Sequence, residues 1–132
     1  MTSKVLLVED DSSFREVLAL ALELEGYSVR QVGGGSEALE FLSGEQPDII
    51  ISDLEMNDMD GRALCKRTRR VSALSNIPFV ILSAFVDPNI PGNLADLPAD
   101  RCMSKQAPVS ELVQLIRELL KDSHNKPQSG EI

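Results

Sequence analysis

Residues Pro47–Gly61 read PDIIISDLEMNDMDG, and the fold turns on how that stretch is parsed. Ile49-Ile50-Ile51 is a short β-branched run closed by Ser52 and Asp53, after which the chain turns polar. A run of that length between turn formers reads as a strand buried on both faces. Asp53 is left at the strand's carboxyl end, the edge where open α/β sheets keep their ligand crevice.

Working outward, KVLLV at Lys4–Val8 is a second such run, cut off by Glu9-Asp10-Asp11. Ser13 and Glu16 have capping-box spacing. They predict a helix in which Phe14, Val17, Leu18, Ala21 and Leu22 recur at helical intervals, closed by Gly26. Tyr27–Val32 reads as a weaker strand. After it, Ser36 is expected to cap a short helix carrying Ala38, Leu39, Phe41 and Leu42, ended by Gly44. Gly33-Gly34-Gly35 lacks both the G-x-G-x-x-G fingerprint and a following Lys-Ser/Thr, and so reads as a plain flexible turn.

On the other side, Asp60-Gly61 opens a helix through Leu64, Cys65 and Thr68 to about Val71. Its end, Lys66-Arg67-Thr68-Arg69-Arg70, suits the helix dipole as a solvated basic terminus. A docking patch for an acidic partner is the sharper alternative. Phe79–Leu82 is a fourth strand, ending at Ser83-Ala84. Phe85–Ala99 holds Pro88, Pro91, Gly92 and Pro98, so at most a short, irregular fourth helix near Asn93–Leu97 is expected. Arg101–Ser104 is a fifth strand ending at Lys105, and Pro108 in a first turn starts a last helix through Leu112, Ile116 and Leu120. From Asp122 the chain is polar; residues 1–122 read as one domain and 123–132 as a frayed tail or the start of a linker, with His124 part of it.

Strands alternating with helices predict an α/β fold, a five-stranded parallel sheet doubly wound with helices on both faces. Bulk properties agree. The 132 residues suffice for one core, and the net charge of −8 argues against non-specific binding to nucleic acid or anionic membrane. No apolar run approaches the roughly 20 residues of a membrane span, and Met1-Thr2-Ser3-Lys4 shows no signal-peptide pattern, so a cytoplasmic domain is expected. Cys65 and Cys102 lack metal-site spacing and read as reduced interior thiols.

In this architecture all strand carboxyl ends open onto one edge, which collects Glu9, Asp10, Asp53, Ser83 and Lys105. Crowded carboxylates need a cation or a proton. An all-oxygen set favours Mg²⁺ shared with phosphate oxygens, while a hydroxyl and an ammonium suit a phosphoryl group. A carboxylate with a free oxygen can then serve as nucleophile and give an aspartyl phosphate.

VLLVEDD at Val5–Asp11, IISDLEMNDMDG at Ile50–Gly61, ILSA at Ile81–Ala84 and the late Lys105 together resemble the receiver domain of two-component response regulators, from Ser3 to about Lys121. That resemblance implies strand order 2-1-3-4-5 and phosphorylation of Asp53 by a sensor histidine kinase or histidine phosphotransfer protein. It further implies Mg²⁺ held by Glu9, Asp10, Asp53 and the backbone carbonyl of Glu55, with Asp10 a direct ligand. Ser83 and Lys105 would contact the phosphoryl group, and such a domain is a signalling module rather than a conventional enzyme. The chain departs from the pattern at Asn57, where Pro usually follows Met, and at Gln106, where a cis-bonded Pro usually follows the lysine. Cys102 stands where an aromatic residue normally reports phosphorylation. Phe85, two residues past Ser83, is expected to slow autodephosphorylation. Three other readings compete: a pseudo-receiver that binds partners without phosphorylation through an altered face around 85–102, a small phosphatase using Asp53-Leu54-Glu55, and a flavodoxin-like nucleotide or flavin binder.

Overall fold

A computed structural model describes residues 2–84 and 99–125. Five strands, β1 (Lys4–Val8), β2 (Ser28–Val32), β3 (Ile49–Asp53), β4 (Phe79–Ser83) and β5 (Arg101–Ser104), form one parallel sheet in the order β2-β1-β3-β4-β5. The expected fold and strand order are those observed. Among the described residues the helices are α1 (Ser12–Leu24), α2 (Gly35–Leu42), α3 (Gly61–Arg70) and α4 (Val109–Asn125). The irregular helix expected near Asn93–Leu97, and Phe85 with it, lie outside the described residues.

Two-fold alternation along the central strands divides the core. Val5, Leu7, Ile49, Ile51, Val80 and Leu82 face one side, where α1 and α4 cover them. Leu6, Val8, Ile50, Phe79 and Ile81 face the other, under α2 and α3. Both sides of β3 and β4 are therefore dry, and every residue of these strands is buried. The edge strands β2 and β5 are only partly buried, which is why their sequences carry arginine, glutamine and serine.

Helix boundaries correct the sequence reading in three places. The α1 cap is Asp11, whose side chain accepts from Ser13 and Phe14, so Ser13 lies inside the helix and the Ser13–Glu16 capping box does not form. Asp11 offers a better-placed acceptor two residues earlier. Ser36 does not cap α2; the cap position is Gly34, which has no side chain to offer. Finally, α4 starts at Val109, directly after Pro108, and runs on to Asn125, past the expected fraying point at Asp122.

Gly26 ends α1 at φ 98°, a left-handed conformation that suits glycine. The basic end of α3 is only in part a solvated face. Arg67 and Arg70 are exposed, whereas Arg69 turns in to the carbonyls of Ser75 and Ile77 and to Asp100 at 2.8 Å. Cys65 is buried and Cys102 half-buried beside the α3 face. Burial pushes the Cys65 thiol up to about 11 and the Cys102 thiol up as well, so both are neutral at physiological pH.

Candidate functional site

Strand register builds the site. Val8 pairs with Ser52 and Asp53 with Leu82, while Ser83 pairs with Ser104. The residues that follow, Glu9 and Lys105, therefore reach the same edge as Asp53 and Ser83. Parallel pairing also continues one step into the loops, for Glu9 N–H donates to Val32 O and Lys105 N–H to Ser83 O.

Glu9, Asp53 and Ser83 are buried, and Asp10 is more open. Carboxylate oxygens of Glu9, Asp10 and Asp53 lie within 4.8 Å of one another. The Lys105 ammonium sits between two of them, 2.5 Å from Glu9 Oε1 and 3.3 Å from Asp53 Oδ2. Below it, the ring of Phe14 lies 4.5 Å from Nζ. Asp53 Oδ1 accepts from Glu55 N–H at 3.4 Å, and Asp10 Oδ2 from Asn57 N–H at 3.2 Å.

These charges shift one another. Burial pushes Glu9 up to about 6, although Lys105 and the Asp11 N–H pull the other way. Burial alone would lower Lys105, but the adjoining Glu9 carboxylate and the charge of Asp53 outweigh it and raise its pKa. Glu9 Oε1 is buried, and its close neighbour Nζ is an ion-pair contact without directed hydrogen-bond geometry. An oxygen-only set of three carboxylates facing one ammonium, with a buried oxygen short of donors, fits a hard divalent cation such as Mg²⁺.

Every strand-end residue singled out in the sequence thus reaches this edge. Glu55 follows on the loop after β3, its N–H on Asp53. The peptide bonds of the described residues are all trans, that between Lys105 and Gln106 included. Several contributors escaped the sequence reading. Phe14 supports Lys105, Arg15 donates to the Glu9 carbonyl at 2.8 Å, and Gly61 lets its helix approach the end of β3. A Cβ on Gly61 would stand 2.5 Å from the Asp53 carbonyl oxygen. The Asp60-Gly61 pair carried that last signal, since Asp60 caps α3 through the Ala63 N–H. The others depend on tertiary approach and left none.

A family model described as the response regulator receiver domain matches residues 5–117. Response regulator MprA of Mycolicibacterium vanbaalenii is 32% identical over 133 residues, which cover 99% of this chain and 56% of that protein. The DNA-binding dual master transcriptional regulator RpaA of Synechocystis is 30% identical over 129 residues, 96% of this chain and 53% of RpaA. The chain therefore spans about half the length of the curated relatives it matches. Among solved structures, the signal receiver domain of a signal transduction histidine kinase from Syntrophus aciditrophicus is 34% identical with a TM-score of 0.86, covering 97% of this chain and 96% of that one. Response regulator TrrA of Thermotoga maritima, solved in complex with Mg²⁺-BeF, is 25% identical with a TM-score of 0.79, covering 89% of this chain and 99% of that one. With the strand order and the acidic edge already in place, the match over residues 5–117 means that the chain belongs to the response regulator receiver domains of two-component signal transduction.

Proposed function

We propose that Asp53 accepts a phosphoryl group from a sensor histidine kinase or a histidine phosphotransfer protein, and that the added charge changes affinity for an output partner. The observation that carries this reading is the Lys105 ammonium shared by Glu9 and Asp53 inside a three-carboxylate cluster. Asp10, Asp53 and the Glu55 carbonyl would hold Mg²⁺, with Glu9 behind them. Bound there, the ion would offset charge on the phosphoryl oxygens.

The chain's own groups do the rest. Asp53 is fixed on one oxygen by Lys105 and on the other by the Glu55 N–H. One of its oxygens forms the new P–O bond as the donor's P–N bond breaks; the imidazole nitrogen keeps the electron pair and takes a proton from solvent. Lys105 and the Ser83 hydroxyl would then receive the phosphoryl oxygens. Because the domain promotes only its own phosphorylation and dephosphorylation, it acts as a signalling module. It switches a partner only to the extent that the partner discriminates between the two states.

Intact mass after incubation with Mg²⁺ and acetyl phosphate tests the reading. One phosphoryl group is expected on the parent, and none on Asp53→Asn or in the presence of a chelator. A parent that stays unmodified and also fails to bind beryllofluoride would overturn it.

A further inference from the structure

Helix α2 begins without a cap of its own. Its cap residue, Gly34, has extended backbone (φ −178°, ψ 177°) and makes no side-chain bond to the first free N–H groups. Asp58, in the loop between β3 and α3, supplies the acceptors instead. Gly35 N–H donates to its Oδ1 at 3.1 Å and Ser36 N–H to its Oδ2 at 2.8 Å, while Met59 N–H folds back onto Oδ1 at 2.9 Å. The glycines make the room for this. A Cβ on Gly34 would stand 2.9 Å from Asp58 Oδ1, and one on Gly35 would overlap the Met59 side chain. The glycine run is a socket for Asp58 and Met59 rather than a plain flexible turn.

The bonds are strong enough to register on the acid. Although exposed, the Asp58 carboxyl is pulled down to about 2, foremost by the Ser36 N–H, with those of Gly35 and Met59 adding to it and slight burial opposing.

The same loop carries groups that face the acidic cluster. Asn57, next to Asp58 in sequence, donates its N–H to Asp10 Oδ2, and Glu55 donates to Asp53 Oδ1. At its base the loop is tied by Leu54 N–H to Leu82 O at 2.8 Å and by Gly61 N–H to Leu54 O at 2.7 Å. Its crown is tied to α2 through Asp58.

We propose that Asp58 is a positioning residue for the cation site, gripping the N-terminus of α2 so that Asn57 and Glu55 keep their places against Asp10 and Asp53. The proposal rests on reading Glu9, Asp10 and Asp53 as a Mg²⁺ site. Holding donors behind the ligands is the kind of outer support whose loss weakens metal affinity by about 10-fold or more.

Three proteins test it: the parent, Asp58→Ala, and Asp58→Ala combined with Gly34→Ser. The last gives α2 a cap of its own, in space freed by the removed carboxylate, but leaves the loop untied. Each is titrated with Mg²⁺ by calorimetry, and amide hydrogen exchange is followed at residues 35–36 and at 55 and 57. Asp58→Ala is expected to bind Mg²⁺ about 10-fold more weakly and to lose protection at both sets of amides. The double variant should recover protection at 36, within reach of a cap side chain at position 34, but neither protection at 55 and 57 nor Mg²⁺ affinity. Unchanged Mg²⁺ affinity in Asp58→Ala, beside a parent that binds, would overturn the positioning role alone. Full recovery of affinity in the double variant would also overturn it, by showing that helix stability was all that mattered. A parent that binds no Mg²⁺ would overturn the reading of the acidic cluster, and this inference with it.

Discussion

After β3 the chain has Met56-Asn57 where receiver domains usually have Met-Pro, and after β5 it has Gln106 where they usually have proline. Both loops thereby gain an N–H, and they use it over different distances. Asn57 N–H reaches Asp10 Oδ2, 47 residues away in sequence and part of the acidic cluster. Gln106 N–H turns back only two residues to Ser104 Oγ at 3.1 Å, where Ala107 N–H also meets the Ser104 carbonyl at 3.1 Å. The same exchange of imide for amide therefore wires the first loop into the site and merely closes a turn in the second. Loop rigidity need not come from proline; a donor of the right reach can supply it.

The first loop is also held by shape, and breaking that has the largest effect. In Gly61→Ala the new methyl would meet the Asp53 carbonyl oxygen at 2.5 Å, a backbone atom no rotamer change can move aside. Overpacking of this kind costs about 1–3 kcal/mol, read as a fall in the urea midpoint, and phosphorylation from acetyl phosphate should drop because the end of β3 must shift. Stability within about 0.5 kcal/mol of the parent, the ordinary range for surface changes, would mean that the loop yields freely and that its hydrogen bonds alone hold it.

The next test sets the two loops side by side. Asn57→Pro removes the donor on Asp10, whereas Gln106→Pro removes only the bond to Ser104 Oγ. Titration of both variants with Mg²⁺ should show weakening by several-fold in the first and none in the second. Their stabilities should differ from the parent by about 1 kcal/mol or less, since proline's gain from a stiffer unfolded chain offsets the lost bond. Equal Mg²⁺ affinities would erase the contrast in reach.

The same contrast explains what the sequence made legible. β3 and β4 are buried on both faces, so III and FVIL stand out as unbroken apolar runs, and a parallel sheet must bring their carboxyl ends to one edge. Glu9, Asp53 and Ser83 were readable because they stand where such runs end, and Lys105 because it follows the weaker fifth strand in the same way. Contacts that depend on how one element approaches another were not. Asp58 caps a helix 22 residues earlier in the chain, a pairing no local capping rule can reach. Ser36 drew the cap assignment because nothing nearer than Asp58 explains α2's free N–H groups. Ser13 drew it in α1 because its spacing to Glu16 fits the capping box, although Asp11, two residues earlier, caps the helix without one. Phe14 looked like an ordinary core position on α1, yet its ring underlies Lys105.

The smallest expected effect concerns the charge on Asp58 and appears only in acid. Its carboxyl is held at about 2, below the ordinary 3.8, so between those values the folded chain binds fewer protons than the unfolded one. Stability from this group is then fully present above pH 3.8, declines as pH falls, and is gone once pH passes below about 2. An Asn at the position keeps a single acceptor oxygen and no charge, so Asp58→Asn should lack both one of the two α2 bonds and the pH dependence. The stability gap between parent and Asp58→Asn, followed by urea unfolding from pH 6 down to 2, should be constant at first and then close. The carboxyl carbon of Asp58, followed by NMR, should titrate near 2 in the folded protein. A midpoint near 3.8 with a pH-independent gap would reduce the clasp on α2 to a geometric contact without an electrostatic part.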